Sequence, residues 1–181
     1  MDRSFFQVLL GATLLLCSSL GNVEGTSLLV GNTRADNIVE IQLDDGGDPM
    51  SSMSFMEEIR NPDHMVVHND HLFVSSGDDL ESSAIYGRDD DGMPSVFATG
   101  GDMVRPYGFA FYEDTLYVAS FKTDQILMFD ATTGEYKGVF ASKEDTYCNG
   151  PNHIAIHDGT LYLTTQGSNF VNGTLQYMFA R

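Results

Sequence analysis

The stretch RPYGFAFYEDTLYVASF, which runs from Arg105 to Phe121, decides the fold of this chain. A proline opens a first apolar run, a two-residue acidic turn follows, and a second apolar run ends the stretch. PNHIAIHDGTLYLTTQ from Pro151 and PDHMVVHNDHLFVSSG from Pro62 repeat the same order of residue types. Each copy predicts a β-hairpin, because β-branched and aromatic residues alternate on both sides of a short polar turn.

The repeat keeps a constant period along the chain. The opening prolines are spaced by 44 and 45 residues, and an apolar position in the second strand is spaced by 44, 44 and 45. Two separate features with one period indicate a true structural repeat. The apolar positions are Val30, Val74, Val118 and Leu163.

Each repeat predicts four short strands. In the middle repeat they are Tyr107–Tyr112, Thr115–Phe121, Asp124–Asp130 and Tyr136–Ala141. Asp-rich and Gly-rich turns separate the strands, as in ATTG after Asp130, because these residues tolerate left-handed backbone. We interpret the run from Asp89 to Asp91 in the same way, as a solvated turn. Four antiparallel strands at this period are typical of a β-propeller blade.

The motifs PYGFAF, LYVAS and DQILMFDATTG resemble the NHL-type propeller repeat. The pattern is similar to the wider superfamily of six-bladed gluconolactonase-like, paraoxonase-like and streptogramin-lyase-like proteins, over about residues 26–181. The predicted fold class is therefore all-β, a β-propeller or partial propeller. As a motif, the repeat is specific for fold and says little about function.

The number of repeats is lower than in a closed propeller. Units 26–61, 62–105, 106–150 and 151–181 amount to about three and a half blades, whereas closed propellers typically have about 4–8. We favour a fragment of a six- or seven-bladed protein. The alternatives are closure by partners, with self-association through open blade edges, and a tight four-bladed ring.

Residues 1–25 predict a signal peptide and hence a secreted or secretory-lumen protein. Arg3 precedes a short apolar core from Phe5 to Cys17, and small residues follow before a cleavage site. The apolar run is short for a bilayer, so we expect no membrane span after cleavage. The alternative is a buried first helix or strand. Asn172 begins a glycosylation sequon, which matters only on the secretory route.

Charge and cysteine content limit the partners of the protein. The chain has 9 Lys and Arg against 26 Asp and Glu, a formal charge of −17. Such a surface repels phosphate backbones and disfavours nucleic acid. After signal cleavage Cys148 stands alone, so it is either a buried thiol or half of a bridge to a partner.

The residue after each opening proline is the first candidate for a site, because loops that lead into propeller first strands surround the channel. These residues are Asp63, Tyr107 and Asn152. Resemblance to the lactonase-like proteins implies that Asp63 and Asn152 bind calcium as the cofactor of an ester-hydrolysing reaction, while Tyr107 departs from that pattern. The alternative is that both residues cap a loop by bonding nearby backbone amides.

Histidines recur at equivalent positions in two repeats. His64 and His153 match each other, and Gly108 occupies their position in the middle repeat. Resemblance to streptogramin lyases implies that this pair takes part in general acid–base catalysis. The alternative is that both merely fill the position of Gly108. His68 and His157 precede hairpin turns and are expected to be exposed.

The sequence favours a secreted NHL-like scaffold that binds a protein or small-molecule ligand at the propeller channel, with no evident catalysis. A calcium-dependent lactonase or esterase is the first alternative, and a lyase that uses channel histidines is the second. All three share the fold, and none follows from the fold alone.

Overall fold

The computed structural model describes residues 6–9, 12–18, 26–88, 93–146, 148–166 and 174–179. These residues form an all-β fold of repeated antiparallel sheets, so the predicted fold class, a partial propeller, is confirmed. The helical segments among them are a 3-10 turn at Phe121–Thr123 and a four-residue helix α1 at Lys143–Thr146. Within the same ranges, no helix has the length and apolar character needed to cross a membrane.

The strands form four sheets, and within each sheet the strands that are consecutive in the chain are neighbours. The first sheet contains β1 (Phe6–Leu9), β2 (Ala12–Ser18), β3 (Thr26–Asn32), β4 (Asn37–Leu43) and β5 (Pro49–Met56). The second contains β6 (Met65–His68), β7 (His71–Ser76), β8 (Ala84–Arg88) and β9 (Pro94–Ala98). The third contains β10 (Pro106–Tyr112), β11 (Thr115–Ser120), β12 (Gln125–Asp130) and β13 (Tyr136–Ser142). The fourth contains β14 (Pro151–His157), β15 (Thr160–Thr165) and β16 (Thr174–Phe179).

The chain divides into two compact units, each of which is described by itself. The first unit comprises Met1–Val74 and Gly87–Ser95, and the second comprises Ser75–Tyr86 and Val96–Arg181. The first sheet lies wholly in the first unit, and the third and fourth sheets lie wholly in the second.

The first sheet holds more strands than its sequence predicts. The unit from residue 26 was expected to lack a first strand, but the backbone of β2 pairs antiparallel with β3, with Leu14 opposite Val30 and Cys17 opposite Ser27. The apolar stretch thus takes the position that the proline-led strand has in the other repeats, as the strand alternative to a signal peptide implies. Signal cleavage is a separate event and stays a prediction.

A hydrogen bond of one kind leads into each proline-led repeat. The residue before the proline has left-handed backbone, with φ of 49° at Asn61, 55° at Arg105 and 60° at Gly150. Its N–H donates to a side-chain oxygen between two strands of the preceding sheet, namely β3 and β4 in the first sheet, β7 and β8 in the second, and β11 and β12 in the third. We call these the connector hydrogen bonds: Asn61 to Asp36 Oδ1 at 2.9 Å, Arg105 to Ser83 Oγ at 2.9 Å, and Gly150 to Asp124 Oδ1 at 2.6 Å.

The thiol of Cys148 lies in the core of the second unit. It is fully buried beside Tyr117, Ile154 and Leu161, which makes the buried-thiol prediction correct. Burial, with a smaller contribution from the Asp124 carboxylate, raises its pKa to about 12. The residue is therefore an apolar filler that is inert as a nucleophile near neutral pH.

The ATTG turn follows the chemistry that the sequence predicts. The Asp130 carboxylate accepts hydrogen bonds from the backbone N–H groups of Thr133 and Thr132, both at 2.9 Å. These bonds, followed by the Lys137 ammonium at 3.1 Å, lower the pKa of Asp130 to about 2. Gly134 has a φ of 73°, and a Cβ there would collide with the carbonyl oxygen of Phe97.

Replacing Gly108 by alanine should destabilise the second unit. A Cβ at Gly108 would lie 2.7 Å from the backbone carbonyl oxygen of Asn152 and from Cα of His153, so β10 and β14 would have to separate. Overpacking of this kind costs about 1–3 kcal/mol. Gly87→Ala in β8 is the matched control, because its Cβ would meet only the ring of Phe73 at 3.8 Å. Equal denaturant midpoints for the two variants would contradict the close approach.

Replacing Asp124 separates its connector hydrogen bond from its ion pair. Asp124→Ala removes the acceptor for the buried Gly150 N–H, which should lower the free energy of unfolding by about 1–3 kcal/mol. Asp124→Asn keeps an oxygen acceptor and loses the exposed ion pair with Lys143 at 3.1 Å, so it should cost less than about 1 kcal/mol. Urea unfolding measures both. Equal losses would mean that the ion pair, not the connector, stabilises this turn.

Candidate functional site

The first strand of the third sheet begins with a β-bulge. Its pairing with β11 shifts between Pro106 and Phe109, so Tyr107 and Gly108 together lie opposite one residue, Ala119. A bulge of this kind bends the strand and re-aims the side chains at its start. The residue that follows the repeated proline is therefore set apart from the regular alternation of the sheet.

The fourth sheet repeats the bulge at the equivalent position. The shift in β14 lies between Pro151 and Ile154, so Asn152 and His153 together lie opposite Thr164. The backbone N–H of His153 donates to Thr164 Oγ1 at 3.1 Å, which fixes the bulged strand to its neighbour. Bulges recur next to binding and active sites because they place side chains that a regular strand cannot place.

The two bulges lie side by side within the second unit. Gly108 packs directly against the backbone of Asn152 and His153, at a distance that leaves no room for a side chain. We call Tyr107–Gly108 and Asn152–His153 the paired bulges. The structure thus brings two predicted site residues, Asn152 and His153, next to the repeat that departs from the predicted pattern.

Tyr107 has an aromatic and cationic environment. Its ring centroid lies 4.9 Å from that of Phe121, and the guanidinium carbon of Arg105 lies 5.3 Å from its ring centroid. Arg105 also forms an ion pair with Asp78, with Nε 3.5 Å from the carboxylate oxygen. This position can stack a planar group on Tyr107, and Arg105, whose charge is balanced by the Asp78 carboxylate, can donate hydrogen bonds to an anionic group.

His153 is the titratable group of the paired bulges. Burial lowers its pKa below the ordinary value of 6.5, so the imidazole is neutral at neutral pH. A neutral imidazole can accept a proton through one ring nitrogen and donate through the other. The position is therefore chemically able to act as a general base or to bind a polar ligand.

Asp63 and His64 belong to the first unit, where they directly precede β6. Asp63 is partly exposed, whereas the His64 side chain is buried, with 7% exposure. That burial favours the alternative in which His64 fills the position of Gly108. Asn152 and His153 belong to the other unit, so the calcium pair and the histidine pair remain predictions from the sequence.

The ligand requirements of calcium are met only in part by the described residues. Calcium takes about 6–8 oxygen ligands, and within the ranges that the structure describes no group of three or more His, Cys, Asp or Glu could hold one metal ion. At the paired bulges Asn152 offers a single amide oxygen beside an aromatic position.

The remaining histidines lie at hairpins. His157 is exposed and lies 3.3 Å from the Asp158 carboxylate, as expected for a residue at a hairpin turn. His68 is only partly exposed, its pKa is lowered by burial, and it lies opposite His71 where β6 pairs with β7. The Asp89–Asp91 turn and the Asn172 sequon lie outside the described residues.

Sequence reasoning missed Arg105 and Phe121 as members of the site. Arg105 directly precedes the repeated proline, and its connector hydrogen bond and left-handed backbone place its side chain over Tyr107. Phe121 follows the second strand in a 3-10 turn and lies against the same ring. Inspecting both sides of each proline would have found Arg105, whereas nothing in the local sequence indicates the contact with Phe121.

Comparison with known proteins supports the fold. No family model matches the sequence, and no curated protein matches it. Among solved structures, Kuenenia stuttgartiensis hydrazine synthase aligns with a TM-score of 0.61 and 16% identity, over 84% of this chain and 42% of that chain. Virginiamycin B lyase from Staphylococcus aureus aligns with a TM-score of 0.60 and 15% identity, over 94% and 64%.

A luciferin-regenerating enzyme aligns with a TM-score of 0.58 and 13% identity, over 98% of this chain and 72% of that chain. It and the lyase are six-bladed propeller-like proteins. The chain spans less than two thirds of the length of the synthase and lyase structures. Identities this low establish the class, a β-propeller-type fold, and leave activity to be argued from the site.

The stability of the protein should fall as pH drops below 6.5, in part because of His153. Burial lowers the folded-state pKa of His153, so between that value and 6.5 the unfolded chain binds more protons and unfolding becomes easier. Urea midpoints between about pH 8 and 5 measure the effect. His153→Gln should flatten this slope, and His157→Gln is the matched exposed control. Identical slopes in wild type and His153→Gln would contradict burial of the imidazole.

Proposed function

We propose that the chain is a ligand-binding β-propeller module whose site is the paired bulges. Its ligand is a small molecule, or a protein side chain, that presents a planar group and a hydrogen-bonding or anionic group. The planar part stacks on Tyr107, and the polar part bonds Arg105, Asn152 or His153. No chemistry of the module's own is needed for this function.

One observation carries the proposal: adjacent first strands begin with the same bulge, at the position after the repeated proline. A single bulge can be a local response to packing. Two bulges at equivalent positions in neighbouring strands change the direction of side chains at the same place in both strands. Tyr107, Asn152 and His153 are all partly exposed there, so a ligand can reach them. Arg105 adds a charged donor that is itself partly exposed.

Fragment binding should map to the paired bulges. We expect the amide resonances of Arg105, Tyr107, Gly108, Asn152 and His153 to shift when ¹⁵N-labelled protein is titrated with a library of aromatic carboxylates. Tyr107→Ala should weaken the best fragment about tenfold, which corresponds to a loss of about 1.4 kcal/mol of stacking. Tyr136→Ala, which removes an exposed tyrosine of β13, is the matched control. Shifts confined to other strands, or equal weakening by both variants, would refute the site.

A lyase is the second candidate, because His153 is held neutral at a bulge and can act as a general base. Virginiamycin B itself is the substrate to test, with its consumption followed by liquid chromatography. Activity that His153→Gln abolishes and His157→Gln retains would support the lyase. Activity that survives His153→Gln, or no consumption at all, would remove it.

Calcium-dependent lactone or ester hydrolysis through Asp63 and Asn152 is the third candidate. Calcium titration monitored by melting temperature, together with lactone and aryl-ester assays, tests it. Protein that shows no thermal shift with calcium and no hydrolysis would remove this candidate. It would leave the ligand-binding proposal in place.

We also propose that the protein is exported and acts outside the cell or in the secretory lumen. The apolar segment within residues 1–25 and the Asn172 sequon support this localisation. Amino-terminal sequencing of protein recovered from the medium of expressing cells tests it, with residue 26 as the expected first residue. Retention in the cell with an intact amino terminus would refute export.

A further inference from the structure

The third and fourth sheets pack through two complementary faces. Tyr117, Ala119 and Ile126 of the third sheet form what we call a trailing face. Ile154, Leu161 and Leu163 of the fourth sheet form a leading face, and the six residues belong to one buried cluster. No member of this cluster is more than 4% exposed. The chain therefore contains one complete example of the contact by which one repeat covers the next.

The trailing face of the fourth sheet is uncovered along β14 and β15, the strands of this sheet whose side-chain burial the structure describes. Its residues are given by the strand alternation and by equivalence with the third sheet: Ala155, Tyr162 and Thr164. All three are exposed. Tyr162 is 39% exposed, whereas its equivalent Tyr117 is 1% exposed beneath the fourth sheet. The difference in exposure between the two tyrosines indicates how much of the Tyr162 side chain a covering sheet would bury.

The leading face of the first sheet is also incompletely covered. Leu28 lies opposite Ile41 and Val30 lies opposite Val39, and all four are partly exposed. The same pairs in the third sheet are fully buried: Leu116 opposite Phe129 and Val118 opposite Leu127. Four apolar side chains of the first sheet are thus partly exposed at positions whose equivalents in the third sheet are fully buried.

We propose that the leading face of the first sheet binds the trailing face of the fourth sheet of a second copy of this chain. The second copy is the partner because each chain carries both halves of a contact that its own third and fourth sheets already make. Leu28 and Val30 are equivalent to Leu161 and Leu163, and Tyr162 and Thr164 are equivalent to Tyr117 and Ala119. Burial of the partly exposed apolar side chains drives the association.

This contact is heterologous, since one copy contributes its leading face and the other its trailing face. Blocking either face on every molecule therefore prevents assembly. Mixing two chains that are blocked on different faces leaves one intact pair of faces. A contact between two identical faces would not be restored by such mixing. Recovery of assembly in the mixture therefore identifies a heterologous contact.

The test measures the mass of the full chain in solution by light scattering after size exclusion, over a series of concentrations. Wild-type chain should assemble, and Leu28→Asp and Tyr162→Asp should each have the mass of one chain. An equimolar mixture of the two variants should recover the mass of two chains. Leu80→Asp is the matched control, because Leu80 is 58% exposed between β7 and β8, outside both faces, and should leave assembly unchanged.

Circular dichroism melts verify that each variant is folded, and Ala155→Arg, on the same face, replaces Tyr162→Asp if the latter is not. A monomeric wild-type chain would overturn the proposal and indicate a different occupant of these faces. Continued assembly of either face variant alone, or a mixture that stays monomeric, would overturn the heterologous contact. The result does not depend on ligand binding at the paired bulges.

Discussion

The connector hydrogen bond is the interaction on which the repeats depend. It ties the residue before an opening proline to the turn of the preceding sheet, as in the bond from the Gly150 N–H to Asp124. The donor must have left-handed backbone, which is unfavourable for Asn61 and Arg105 unless surrounding contacts fix it. The proline then begins the strand without a donor of its own. The connector thereby fixes the start of each proline-led strand to that turn.

The site follows from the same constraint. The connector lies directly before the proline, and the register shift of the paired bulges lies directly after it. Gly108 is required there since the first strands of consecutive repeats touch, and Tyr107 is turned out of the regular alternation. The close approach of β10 and β14 therefore places the bulge that carries Tyr107 beside the bulge that carries His153.

Much of the fold could be predicted from period and turn chemistry. The strands of the repeat from Pro106 were predicted to within one or two residues, because alternation and polar turns such as Glu113-Asp114 are local signals. The strands of the first sheet could not be predicted in this way, because β2 has no opening proline and its pairing with β3 is not signalled by the local sequence. Of the site, Asn152 and His153 were reached through their position after a proline. Arg105 and Phe121 were not, because their contacts with Tyr107 cross between elements.

The sequence by itself determined the repeat, the four-stranded unit and the positions at which irregular backbone must occur, because these depend on residues close together in the chain. Only the tertiary structure decided which histidine is reachable, that Ser83 replaces an aspartate in a connector, and that Cys148 is inert. It also decided that Tyr162 is exposed while the equivalent Tyr117 is buried. Equivalent residues with similar local sequences differ in exposure because burial depends on which other segments pack against them. The local sequence does not specify those segments.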